Sequence, residues 1–238
     1  MSAFTPHLAP IVVLMFLGTI LLIGISLLVF LYGAIRHSAF IARLGIGAVA
    51  VVIASYCLML TSVSFASSEE VLPAGGWKYF CEIDCHIAYS VIGAQTVTIL
   101  RSTTIFLPQG QFVLVRVKTW FDEHSISEHR GNGPLRPNAR KVFLVDGAGH
   151  KYEPALEAHA AMTTIYGDST PLTHALRPGE SYTTDFVFDV PKGDTGLKLL
   201  ITEDDPETRL VIGHENSLLH KKIYLGIQAL PALAETPR

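Results

Sequence analysis

The sequence predicts a two-helix transmembrane hairpin followed by an all-β domain, an antiparallel sandwich. Three observations carry this. The chain has 238 residues, 49% of them hydrophobic, and the apolar excess is concentrated at one end. From Met1 to Ser68 the only basic side chains besides His are Arg36 and Arg43, and there is no Asp or Glu. Beyond Ser68 the chain turns to short runs of alternating apolar and polar residues separated by Gly/Pro turns, the pattern of half-buried strands. The division is 1–68 for the hairpin, 69–95 for a linker with a Cys/His-containing segment, and 96–230 for the β domain.

The first helix is read from Ile11–Tyr32 and the second from Leu44–Phe65. Each is close to the ~20 apolar residues that cross a bilayer core. The short connection between them carries Arg36 and Arg43, which places it in the cytoplasm by the positive-inside rule. Both ends of the hairpin, and everything after Ser68, then face outward. A cleaved signal peptide needs a basic leader and a shorter apolar core, and Met1–Pro10 holds no Lys or Arg. No charge interrupts the middle of either run, so an ion pathway is not indicated. Gly18, Gly24, Gly45 and Gly47 offer close helix packing. The expected setting is a bacterial inner membrane, two-pass, with the C-terminal domain outside the cytoplasm.

Ser67–Gly76 is polar and then Pro/Gly-rich, a linker leaving the membrane. From Ile87 the pattern becomes β-like. Gln111–Phe121 is the strongest strand, with Val113, Val115 and Val117 on one face and Leu114, Arg116 and Lys118 on the other. Asp122–Asn138 reads as a long loop. Asp146-Gly147-Ala148-Gly149 reads as a hairpin turn, Pro154–Ile165 as a short helix on its alanines, and Arg177–Glu180 as a turn. Ser181–Val190, Gly196–Thr202 and Ile223–Gln228 complete the strands, with Phe186, Phe188, Leu197 and Leu199 expected in the core.

The formal net charge is -3 and no basic stripe is present, which argues against nucleic acid as a partner. No phosphate loop, nucleophile elbow or His-Glu-x-x-His motif occurs, so nothing points to an enzyme. The lipid bilayer is the partner the composition implies, with other membrane proteins or a respiratory complex beside it.

The run Leu176-Arg177-Pro178-Gly179-Glu180 through Phe186-Val187-Phe188-Asp189-Val190-Pro191 resembles the immunoglobulin-like domains of unknown function in bacterial secreted proteins. That likeness spans about Thr96 to Gln228 and implies a fold, not an activity. A two-helix anchor ahead of an outer β domain bearing Cys-x3-Cys and a His is similar in architecture to haem-copper oxidase subunit II, whose domain is cupredoxin-like. Cys-x3-Cys with a distant His also resembles membrane-tethered copper chaperones of the Sco type.

The densest chemistry lies in Gly76–Tyr89, which holds Cys81, Cys85 and His86 among Trp77, Tyr79, Phe80 and Tyr89. Thiolates and imidazole suit copper or zinc. In a straight strand Cys81 and Cys85 would stand ~13 Å apart, so a shared ion or a disulfide requires a bent segment. Four readings stay open: a metal site, with copper favoured; a plain disulfide, usual outside the cytoplasm; covalent haem c, since Cys-His ends the attachment motif; and two independent buried cysteines. A metal would need further ligands, for which His124, His129, His159 and Met162 are the candidates. Cys57 lies in an apolar run and is read as a small buried or lipid-facing residue. The function expected is metal handling or electron transfer beside a larger membrane complex; the alternative is a membrane-anchored interaction module with a structural disulfide.

Overall fold

The structure is a computed structural model that describes residues 9–80, 86–101, 105–126, 129–167, 169–203 and 205–228. It divides into two compact units.

The first unit contains helices α1 (Ala9–Ile35) and α2 (Ala39–Ala66) together with residues 205–222. Both helices are long and apolar enough to cross a membrane. Their flanks are bare within the chain: Leu14, Leu28 and Leu58 are 66–69% exposed, which a helix of a water-soluble core would not tolerate. Each helix extends beyond its apolar run, leaving a three-residue connection closed by Ser38 N–H donating to Gly33 O. Of the four glycines read as allowing close packing within the hairpin or with a partner, Gly45 lies at the contact between the two helices, and Gly18, Gly24 and Gly47 face open space within this chain. Gly33 joins Gly45 there. A Cβ at Gly45 would strike the backbone of Phe30, and one at Gly33 the backbone of Ala42, so these two positions let the helices touch.

Residues 205–222 contribute a 3-10 turn (Pro206–Leu210) and a chain of further turns. Tyr56 of α2 donates its hydroxyl to Leu210 O at 2.7 Å. Ser67, which follows α2, accepts from the Lys221 N–H at 2.9 Å.

The second unit is a β domain of two main sheets. Its strands are β1 (Glu70–Leu72), β2 (Lys78–Phe80), β3 (Ile87–Val97), β4 (Leu100–Arg101), β5 (Ile105–Phe106) and β6 (Gln111–Phe121). After β6 come β7 (Arg140–Val145), β8 (Lys151–Tyr152), β9 (Ser181–Val190), β10 (Lys198–Glu203) and β11 (Ile223–Gly226), with helix α3 (Leu156–Tyr166) between β8 and β9. One sheet has the order β1-β11-β10-β7-β8 and the other β2-β3-β6-β9, while β4 and β5 pair with each other. The pairings are antiparallel except β1 with β11, which run parallel. The segment 69–95, read as a linker, contributes β1, β2 and most of β3 to these sheets.

The alternation along β6 gives the inner face as expected. Val113, Val115 and Val117 meet Leu144, Leu199 and Ile201 of the other sheet in one core, with Phe188 buried beside them and Phe186 and Leu197 packed at its margin. The outer face departs from a half-buried strand. Leu114 and Phe112 are buried beneath α3, with Leu100, Met162, Tyr166 and Val187. Arg116 on that face makes two 2.7 Å bonds to Asp185, its cross-strand partner, and donates to Tyr166 O at the end of α3.

Charges are also sealed between the sheets. Lys78, 3% exposed, donates to Ile201 O and Ile223 O, each at 2.7 Å. Arg140 meets Glu203 at 2.8 Å and lies 4.4 Å over the Phe80 ring.

The β7–β8 hairpin has its expected turn, organised by Asp146. Its Oδ1 accepts from Ala148 N and His150 N, and its Oδ2 lies 2.7 Å from His150 Nδ1. Burial alone would raise this carboxyl, but the bonds from the His150 ring and amide outweigh it and hold the pKa at about 2. The bond to Asp146 raises His150 in turn. The carboxylate's contribution is therefore complete above its unfolded value of ~3.9 and is lost as pH falls towards about 2. The imidazolium's contribution is complete below ~6.5 and fades as pH rises through the elevated folded value. The turn should be most stable between these limits, and Asp146→Asn should remove the acid limb of a thermal-stability profile. An unchanged acid limb in that variant would contradict this assignment.

Candidate functional site

The end of the domain formed by the β2–β3 connection and the end of β6 carries the richest polar chemistry. Phe80 and Ile87 are antiparallel partners at the close of β2 and the start of β3. Cys81 and Cys85 fall between them, outside the described residues. Cys57 is exposed on α2.

His86 is the first described residue after this gap and is 3% exposed. Its ring stacks on Phe121 at 5.6 Å with planes 13° apart, so the end of β6 fixes its orientation. The Ser125 hydroxyl donates to Asp122 O at 2.9 Å, and its oxygen lies 2.7 Å from His86 Nδ1. A hydroxyl that donates elsewhere accepts here, so His86 Nδ1 is the donor in this contact. Asp122 N–H donates back to His86 O at 2.9 Å, closing the ring of bonds.

Asp122 is the centre of this arrangement. It caps the 3-10 turn Glu123–Ser125, its side chain accepting from His124 N at 2.9 Å. Its other oxygen accepts the Tyr79 hydroxyl at 2.9 Å. Partial burial and the neighbouring carboxylate push Tyr79 up to about 12. Tyr79 therefore acts as a hydrogen-bond donor at neutral pH.

His124 shares this turn, with its Nδ1 3.2 Å from Asp122 Oδ1 and its side chain 78% exposed. His129 is exposed further along the loop, where Arg130 lies 4.9 Å over the Phe121 ring. His159 and Met162 belong to α3. Met162 is a fully buried core side chain between α3 and β6. His159 lines a separate groove of about 500 Å³ with Phe143, Glu153, Leu156, Leu172 and Phe186. The structure thus brings His124 to the His86 turn and places His159 and Met162 in other settings. Among the described residues no group of three His, Cys, Asp or Glu side chains converges to hold a metal ion.

The contributions of Tyr79, Asp122 and Ser125 were not anticipated from sequence. An Asp directly before a Glu-His-Ser turn is a capping signal, but its link to His86 depends on pairing between β3 and β6.

No protein-family model and no curated protein matches the chain. Among solved structures, a conserved hypothetical protein from Bacillus anthracis aligns at TM-score 0.41 and 15% identity, over 54% of this chain and 89% of its own. The secreted protein MPT63 from Mycobacterium tuberculosis aligns at TM-score 0.35 and 14% identity, over 58% of this chain and 92% of its own. At these scores neither likeness bears on activity.

Proposed function

We propose that this chain is a membrane-anchored, outward-facing β domain of immunoglobulin-like or cupredoxin-like type. It holds copper through Cys81, Cys85 and His86 and serves metal handling or electron transfer beside a larger membrane complex. The observation that carries this reading is the setting of His86. It is buried, its ring is clamped by Phe121, and its Nδ1 proton is engaged by Ser125. Ligating histidines are commonly held in this way, with one ring nitrogen engaged by a neighbouring polar group that fixes the ring. Phe80 and Ile87, the strand residues that bracket this stretch, are antiparallel partners. His124, already on the Asp122 turn, is the further ligand nearest in the fold's connectivity; His129 is the next candidate.

A plain disulfide between Cys81 and Cys85 is the second reading. Titration of the reduced, full-length protein in detergent with copper(I) against a competing chelator separates the two. The expected result is one tightly held ion per chain, lost in Cys85→Ser and weakened at least tenfold in His86→Ala. Cysteines that re-oxidise to a bridge and take up no metal when reduced would establish the disulfide instead. A Soret band surviving denaturation would indicate covalent haem.

A further inference from the structure

Residues 205–222 leave the β sheets after β10 and return at β11, yet they pack with the helices. Their attachments fix how far they run along α2. Leu210 is held at Tyr56, and Lys221 at Ser67. These two anchor points are separated by about 16 Å of helix at 1.5 Å per residue. Counting about 20 residues of hydrocarbon-spanning helix from Phe40 or from Leu44 puts Tyr56 roughly 5–10 Å inside the boundary at the Ala66 end. The excursion therefore descends to bilayer depth.

Its composition is sorted for that position. Leu210, Leu218 and Leu219 are 50–55% exposed, while Ile212, Ser217 and His220 are turned in and buried. Leu218 N–H donates to Arg209 O at 3.0 Å, which ties the two arms of the excursion together next to Leu210 in the chain. Leu219 has φ 65, a conformation that Gly or Asn takes more readily, so the turn carries an apolar side chain where backbone geometry alone would not ask for one. Successive turns satisfy the backbone: Thr208, Val211, His214, Ser217 and His220 each donate to a carbonyl three residues back. A segment at low water content needs this. Glu207, Arg209 and Lys221 are exposed, which keeps the segment at headgroup level rather than in the hydrocarbon centre.

We infer that residues 205–222 form a lipid-contacting shelf, with Leu210, Leu218 and Leu219 seated in the headgroup–acyl boundary of the leaflet at the Ala66 end of α2. The inference rests on α2 spanning the membrane and is independent of the copper reading. The shelf gives the chain a third point of contact with lipid beside its two helices.

The test uses full-length protein in phosphatidylcholine–phosphatidylglycerol nanodiscs. In Leu218→Trp, emission should shift to the blue and be quenched by lipids brominated high on the acyl chain, to an extent well beyond the wild-type background from Trp77 and Trp120. Leu219→Trp should behave alike. Quenching by aqueous iodide with no response to bromolipid would overturn the shelf. So would a photocrosslinker at position 218 that yields a protein adduct and no lipid adduct in native membranes. Carbonate-resistant membrane association checks the spanning helix separately, so failure of the shelf and failure of the anchor are distinguishable.

Discussion

Val115→Asp abolishes folding of the β domain. Val115 is fully buried at the middle of β6, paired with Ala94 on one side and Phe186 on the other. Its side chain enters the core shared by the two sheets, among Val113, Val117, Leu144 and Leu199. The side chains of that cluster are apolar, and the cations sealed near it, Lys78 and Arg140, are already engaged by Ile201 O, Ile223 O and Glu203. Burying an unpaired charge costs several kcal/mol at least, against a total stability of ~5–15 kcal/mol for a domain. Val115→Ala should be tolerated with a loss of roughly 2–3 kcal/mol. Amide dispersion in NMR spectra of the two variants decides the matter, and a well-dispersed Val115→Asp spectrum would show that the face is misassigned.

Arg116→Met should cost about 3–5 kcal/mol, as breaking a buried pair by removing one partner typically does. Asp185 is 3% exposed at its side chain and takes both its bonds from the Arg116 guanidinium. The same guanidinium holds the end of α3 through Tyr166 O, so the helix should loosen with it. Arg116→Met combined with Asp185→Leu should recover most of the loss, because no charge is then left stranded. Urea unfolding of the single and double variants measures the coupling directly. If the double variant is no more stable than Arg116→Met alone, the pair is not the source of the loss.

The helices were legible because an apolar run of bilayer length has few other uses. The inner face of β6 was legible because period-two alternation fixes which side chains share a face: Val113, Val115 and Val117 did so. The outer face was not, because the covering element, α3, comes 35 residues after the end of β6; nothing local to Leu114 announces it. Nothing local to Lys78 or Glu203 announces their burial: Lys78 is held by Ile201 O of the opposite sheet, and Glu203 by Arg140, its cross-strand partner in the same sheet. Of the strands within 69–95, β3 was legible from Ile87 onward, while β1 and β2 were hidden by turn-forming Pro73, Gly75 and Gly76 and by the neighbouring cysteines. At the candidate site, Cys-x3-Cys-His marked the place but not the scaffold. The Asp122–Ser125 turn that fixes His86 is supplied by the far end of β6 and becomes adjacent only through strand register.

The parallel pairing of β1 with β11 matters for biosynthesis. Glu70–Leu72 is made immediately after α2, whereas its partner Ile223–Gly226 is among the last of the described residues to be made. While the ribosome works through the intervening chain, the outer edge of that sheet has no mate. Such non-local closure is slow, and an unmated edge can recruit the wrong strand. Premature termination before Ile223 would therefore leave both apolar helices made and the sheet incomplete, a substrate for quality-control proteolysis rather than a shortened working protein.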